Sequence, residues 1–92
     1  MTIRWTARGA SDLARLYDFL SPAAPEAAAR IVRQLAHAPD RLLTYPRLGE
    51  KIEIYEPREV RRLIVGNYEL RYEIAAGEII VLRIWHCREN RS

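Results

Sequence analysis

The chain has 92 residues, 49% of them apolar, and a formal net charge of +3. That length sets one small domain, residues 1–92, with a modest core to which a partner would add burial. No apolar run approaches the ~20 residues that span a bilayer, the opening residues lack the apolar stretch of a signal peptide, and the single cysteine, Cys87, excludes an internal disulfide and a multi-cysteine zinc site.

The expectation is a cytoplasmic protein with no membrane association, no metal and no cofactor. Arginine supplies every basic residue except Lys51. Residues 1–50 and 58–92 each carry seven arginines and five acids, so the charge is spread along the chain. A nucleic-acid arm would concentrate it in a block. The balance admits an acidic partner or RNA and requires neither.

In chain order, Ile3 and Trp5 alternate with Arg4 and Thr6, which predicts a short first strand. Thr6 then caps a helix whose apolar stripe is Ala10, Leu13, Ala14, Tyr17 and Leu20, broadened by Leu16 and Phe19. Ser21-Pro22 reads as a stop and a restart, placing helices at about residues 7–20 and 22–38. The second helix has Ala28, Ile31, Val32 and Leu35 on one side. Joined by a short turn, the two should pack as an antiparallel hairpin. Pro39-Asp40 breaks the second helix, Leu42 and Leu43 fall in an extra helical turn, and Ile52 and Ile54 alternate with charges as an irregular edge strand. Residues 88–92 read as a polar tail.

Residues 60–86 carry three β-rich runs separated by two glycine-containing breaks, the pattern of consecutive hairpins. A two-residue turn at Gly66-Asn67 sets Val65 opposite Tyr68, Leu63 opposite Leu70 and Arg62 opposite Arg71. At the second break, a two-residue turn at Ala76-Gly77 would bring Arg83 opposite Leu70 on the buried face. A three-residue loop, Ala75-Ala76-Gly77, brings Leu82 there instead and pairs Arg83 with Glu69, and is preferred for that reason. The buried face is then Leu63, Val65, Tyr68, Leu70, Tyr72, Ile74, Ile80, Leu82 and Ile84. The open face is Arg62, Ile64, Glu69, Arg71, Glu73, Val81, Arg83 and Trp85. The order β-α-α-β-β-β makes an α+β domain, a helical hairpin on one face of a small, mainly antiparallel sheet.

Function is therefore sought on the open face. Arg62, Arg71 and Arg83, with His86 at the strand end, could clamp a phosphodiester and move a proton. The same face also reads as a solvated surface on which Glu69 and Glu73 neutralise the arginines. Ile64, Val81 and Trp85 among these charges suit a protein contact.

Several segments now resemble a known family. They are R-R-L-I-V-G-N-Y-E-L-R-Y-E-I (residues 61–74), I-I-V-L-R-I-W-H (79–86), Trp5-Thr6 leading to Ser11-Asp12-Leu13, the alanine-rich second helix, and Y-P-R-L-G (45–49). Together, over about residues 3–88, they resemble the RelE/ParE superfamily of toxins from bacterial toxin–antitoxin pairs. The resemblance implies the β-α-α-β-β-β fold. RelE-like members cut mRNA in the ribosome without a metal; ParE-like members inhibit DNA gyrase, a topoisomerase. Arg62 falls where RelE-like enzymes place a strand arginine, and His86 where one nuclease branch has a catalytic histidine. The tyrosine that follows in that branch is Cys87 here, its glutamate base falls near Tyr45, and a lysine-rich segment is reduced to Lys51.

The resemblance thus points to the ParE branch. It implies a type II toxin with a role in plasmid stabilisation, acting on DNA gyrase, neutralised by a cognate ParD-like antitoxin and held in a higher-order complex. Expected antitoxin contacts are Arg62, Ile64, Val81, Arg83 and Trp85. The alternative is a ribosome-dependent mRNA endoribonuclease using Arg62, Arg71, Arg83 and His86, with a base recruited from Glu50, Glu53 or Glu73. A third possibility is a degenerate module that only binds its partner.

Overall fold

The computed structural model of the chain describes residues 1–89; of the polar tail, residues 90–92 lie outside them. The elements are β1 (Thr2–Trp5), α1 (Ala7–Leu20), α2 (Pro25–His37), a 3-10 helix (Ala38–Leu43), β2 (Glu50–Lys51), a second 3-10 turn (Glu53–Tyr55), β3 (Glu59–Val65), β4 (Tyr68–Ala75) and β5 (Glu78–His86). They form one five-stranded sheet in the order β1-β5-β4-β3-β2. β1 pairs parallel with β5 and every other neighbour is antiparallel. The two helices cover one face. Among the described residues no helix is long and apolar enough to cross a membrane.

α2 begins at Pro25, three residues later than the Ser21-Pro22 signal suggested. Ser21 instead closes α1, its N–H donating to the Tyr17 carbonyl, and Pro25 occupies the first turn of α2, where a missing N–H is harmless. The extra turn at Leu42 is present, with Leu42 in the core. The expected Ile52–Ile54 edge strand shrinks to Glu50–Lys51; Ile52 is buried, while Ile54 sits in a 3-10 turn and is exposed.

The β3–β4 register is the one expected, with Val65 opposite Tyr68, Leu63 opposite Leu70 and Arg62 opposite Arg71. The second hairpin overturns the preferred loop. Its turn is two residues long, Ala76 and Gly77, with φ of 51° and 74°, and Ala75 pairs with Glu78. The burial of Arg83 that such a turn threatened does not occur, because the register shifts between Arg71 and Tyr72: Tyr72 faces Val81 while Arg71 faces Arg83. Leu82 is the extra residue of a β-bulge, and the strand changes phase across it. Three assignments change in consequence. Leu82, expected on the buried face opposite Leu70, is the unpaired bulge residue, and Ile84 faces Leu70 while Trp85, in place of Arg83, faces Glu69. Val81, expected on the open face, is fully buried in the core, and Ile80 lies opposite Glu73 instead of in the core cluster.

The bulge falls where β5 changes partners. β1 stops at Trp5, paired with Val81, and beyond it the edge of β5 would be left with unpaired polar groups. α1 supplies them with partners. The Thr6 hydroxyl lies 3.1 and 3.0 Å from the carbonyls of Val81 and Leu82. Asp12 accepts from the Ile84 N–H at 2.8 Å, and Arg15 donates to the Ile84 carbonyl at 3.1 Å. This close seat requires Gly9, since a Cβ there would come within 2.8 Å of the Val81 oxygen. The inner face of α1 is accordingly Gly9, Asp12 and Leu16, whereas Ala10, Ala14, Tyr17 and Phe19 are exposed.

A second polar tether crosses the core on the β3 side. Tyr72 is fully buried; its hydroxyl donates to the Pro46 carbonyl at 2.7 Å and accepts from the Gly49 N–H at 3.0 Å. Burial holds the phenols of both Tyr72 and Tyr68 above the ordinary tyrosine value. The folded chain therefore keeps protons that the unfolded chain releases above about pH 10, so stability should fall as pH rises through that range. Tyr72→Phe should flatten this alkaline loss and cost about 1–3 kcal/mol at neutral pH, by orphaning the two backbone groups. Urea unfolding at neutral and alkaline pH checks both expectations.

Candidate functional site

Strand pairing places Arg62 directly opposite Arg71, and Arg71 directly opposite Arg83, in a row across β3, β4 and β5. Like charges so placed repel unless something intervenes. Glu69, two residues from Arg71 on the same face, intervenes on one side. Its buried carboxylate accepts from Arg71 at 2.7 Å and lies 3.7 Å from Arg62. Glu50 adds an ion pair to Arg62 at 3.4 Å. On the other side stands Trp85, whose ring has the Arg71 guanidinium 4.7 Å and the Arg83 guanidinium 4.9 Å from its centre. Arg83 ends on Asp12, with Nε donating at 2.8 Å. That hydrogen bond is the main cause holding the Arg83 guanidinium above its ordinary value. Arg71 also donates to the Tyr55 hydroxyl at 3.0 Å.

The open face is thus a continuous ribbon, Glu50–Arg62–Glu69–Arg71–Trp85–Arg83–Asp12. Three guanidiniums meet three carboxylates within it. A phosphodiester would have to displace Glu69 and Asp12 to reach two of them, and each displaced carboxylate would remain as a buried charge. Neutralisation by Glu69 was legible in the sequence. Asp12, the second neutralising acid, was not read as an inward residue, although Gly9, Asp12 and Leu16 have helical spacing. Glu73, expected in the same role, pairs instead with Arg58 at 2.8 Å.

Of the other expected site residues, Ile64 is exposed at 54%. Trp85 is on the open face as expected but only 8% exposed, with the Arg71 and Arg83 guanidiniums packed against its ring. Val81 is in the core and can touch no partner. His86 is separated from the arginines by the sheet itself. It pairs with Tyr68, a core residue, and its ring meets Tyr68 edge-on at 5.2 Å. The two line a groove of about 360 Å³ under the end of α1, with Leu16, Phe19 and Leu20. Its Nδ1 accepts from the Arg88 N–H at 3.0 Å. Cys87 and Tyr45 are both exposed. Among the described residues no three His, Cys, Asp or Glu side chains converge as a metal site.

This architecture, two helices on one face of a mixed, open five-stranded sheet, is that of a small bacterial toxin domain. Residues 3–91 match the model of the ParE toxin of type II toxin–antitoxin systems, parDE, and the chain belongs to that family. It is 34% identical over 82 residues to Toxin RelE2 of Caulobacter vibrioides, covering 89% of this chain and 90% of that protein. It is 30% identical over 90 residues to the putative toxin Y4kP of Sinorhizobium fredii, covering 96% and 90%. A chain of the chromosomal ParDE toxin–antitoxin system from P. aeruginosa superposes with a TM-score of 0.79 at 26% identity, covering 94% of this chain and 95% of that one. The protein is a toxin of the ParE/RelE type, and its family implies an antitoxin partner.

Proposed function

We propose that the protein acts in the cytoplasm as an inhibitor of DNA gyrase, performing no bond-breaking chemistry of its own, and that a ParD-like antitoxin neutralises it. One observation carries this reading. The groups a metal-free ribonuclease would need are apart: the open-face arginines are bound to Glu69 and Asp12, and His86 lies on the opposite side of the sheet. General acid–base catalysis needs its donor and acceptor within about 3 Å of one substrate. Binding to a topoisomerase needs only a surface.

The name of the Caulobacter relative, Toxin RelE2, favours a second reading, ribosome-dependent cleavage of mRNA. Two assays on antitoxin-free protein separate them. Plasmid supercoiling by gyrase should be inhibited in proportion to added toxin, and primer extension on translated mRNA should show no new ends. Ribosome-dependent cleavage that disappears in Arg62→Ala, with gyrase unaffected, would establish the nuclease instead.

A further inference from the structure

Arginine pairing divides this molecule unevenly. Arg4, Arg15, Arg47, Arg58, Arg61, Arg62, Arg71 and Arg83 each have a carboxylate partner. Among the described residues Arg8, Arg30, Arg33, Arg41 and Arg88 have none. Three of these five belong to α2 and the 3-10 helix that continues it. Arg30 and Arg33 share the outer face of α2 with His37, opposite the buried Ala28 and Leu35. Unpaired guanidiniums are therefore most frequent on this stretch, which also carries the acids Glu26 and Asp40.

That element forms one wall of a groove of about 410 Å³, with Gln34, His37 and Arg41 on one side and residues 64–66 on the other. The second wall is the bare end of β3. β2 pairs with β3 only at Arg61 and Arg62. The Val60 carbonyl accepts from the Ile52 N–H on the β2 side, so strand alternation sends the N–H and C=O of Arg62 and Ile64 the same way. Val65 and Tyr68, flanking the two-residue turn, close the ladder on the other side. Ile64 consequently holds an unpaired donor and acceptor at an open sheet edge, beneath a side chain that is 54% exposed. An edge of this kind is a template for an added strand.

We propose that this groove docks an extended, acidic peptide segment, which pairs with the β3 edge at Ile64 and sets a carboxylate against Arg41. A nucleic-acid backbone would use the arginines but neither the edge N–H and C=O nor the apolar Ile64. The inference rests on the toxin reading only in assigning the segment to the antitoxin.

The probe is a fluorescein-labelled peptide alternating glutamate and valine, measured by anisotropy against full-length protein. A lysine–valine peptide and a DNA oligonucleotide serve as competitors. Arg41→Glu and Ile64→Pro should each weaken binding about tenfold, the worth of one ion pair or hydrogen bond. Proline at Ile64 deletes the outward N–H together with the exposed apolar side chain, both of which the segment would use; should it unfold the chain, Arg41→Glu carries the test. Arg8→Glu, a free arginine elsewhere, should change binding little. Failure of the wild type to bind the acidic peptide, an equal loss in Arg8→Glu, or displacement by DNA but not by excess unlabelled acidic peptide would each overturn the proposal. Hydrogen exchange on the purified toxin–antitoxin complex separates it from the toxin reading. A complex that forms without protecting the Ile64 N–H sinks the groove and leaves the toxin reading intact. A groove that binds the peptide while no antitoxin complex forms does the reverse.

Discussion

Asp12→Ala should destabilise the protein by about 3 kcal/mol, a large share of the ~5–15 kcal/mol that holds a domain of this size together. The carboxylate is 5% exposed and serves the Arg83 Nε and the Ile84 N–H, both at 2.8 Å. Alanine would leave the N–H buried without a partner, and the guanidinium, itself a quarter exposed, without its counter-charge. Residual solvation of Arg83 and Arg15 keeps the cost below that of a fully buried pair. Asp12→Asn retains an acceptor for the Ile84 N–H and should lose roughly half as much. Urea unfolding followed by circular dichroism reads both. Equal midpoints for wild type and Asp12→Ala would mean that α1 does not depend on this anchor.

Gly49→Ala should be nearly as harmful, at about 3 kcal/mol, although it adds one methyl group. A Cβ at Gly49 would stand 2.5 Å from the Arg62 carbonyl oxygen and 2.9 Å from Tyr72 Cε1. Neither neighbour can retreat: the oxygen belongs to the β3 backbone, and the Tyr72 ring is pinned by its hydrogen bonds to Pro46 and Gly49. The loop would shift and break the Gly49–Tyr72 hydrogen bond as well. Gly66→Ala offers the contrast. Nothing lies near its Cβ, so it should cost only the strain of a φ near +60°. The two unfolding midpoints, compared, separate crowding from backbone strain.

What the sequence revealed follows from how local each signal is. Alternation along β3 and β4 fixed their faces, because a Gly-Asn turn and period-two patterning depend only on neighbours. The phase of β5 depended on a bulge, which has no signature in residues 78–86. Arg83 stays out of the core through the bulge at Leu82, with a two-residue turn, and not through a longer loop. The same blindness misplaced Val81. Helix α1 was located to the residue, yet its buried stripe was rotated, because its docking surface is a strand edge that demands hydrogen bonds. An edge selects Thr6, Gly9, Asp12 and Arg15 over alanine and tyrosine. The arginine row was visible, but its stacking on Trp85 was not, since an indole buried under guanidiniums reads in sequence as an exposed aromatic. The position of His86 behind the sheet needs no bulge: it lies two residues beyond Ile84 and shares its face by simple alternation.

Leu82 is spare in a literal sense. A chain lacking it would keep every cross-strand partner that β4 and β5 now share, because Val81 already faces Tyr72 and Arg83 already faces Arg71. What would vanish is the outward carbonyl that meets the Thr6 hydroxyl, and the bend that turns the strand toward α1. One surplus letter in the chain thus works as a hinge pin between two modules. The meander could tolerate its removal, while the first helix would lose its footing. Change of length at this point is a way of loosening the hairpin of helices without rewriting the sheet.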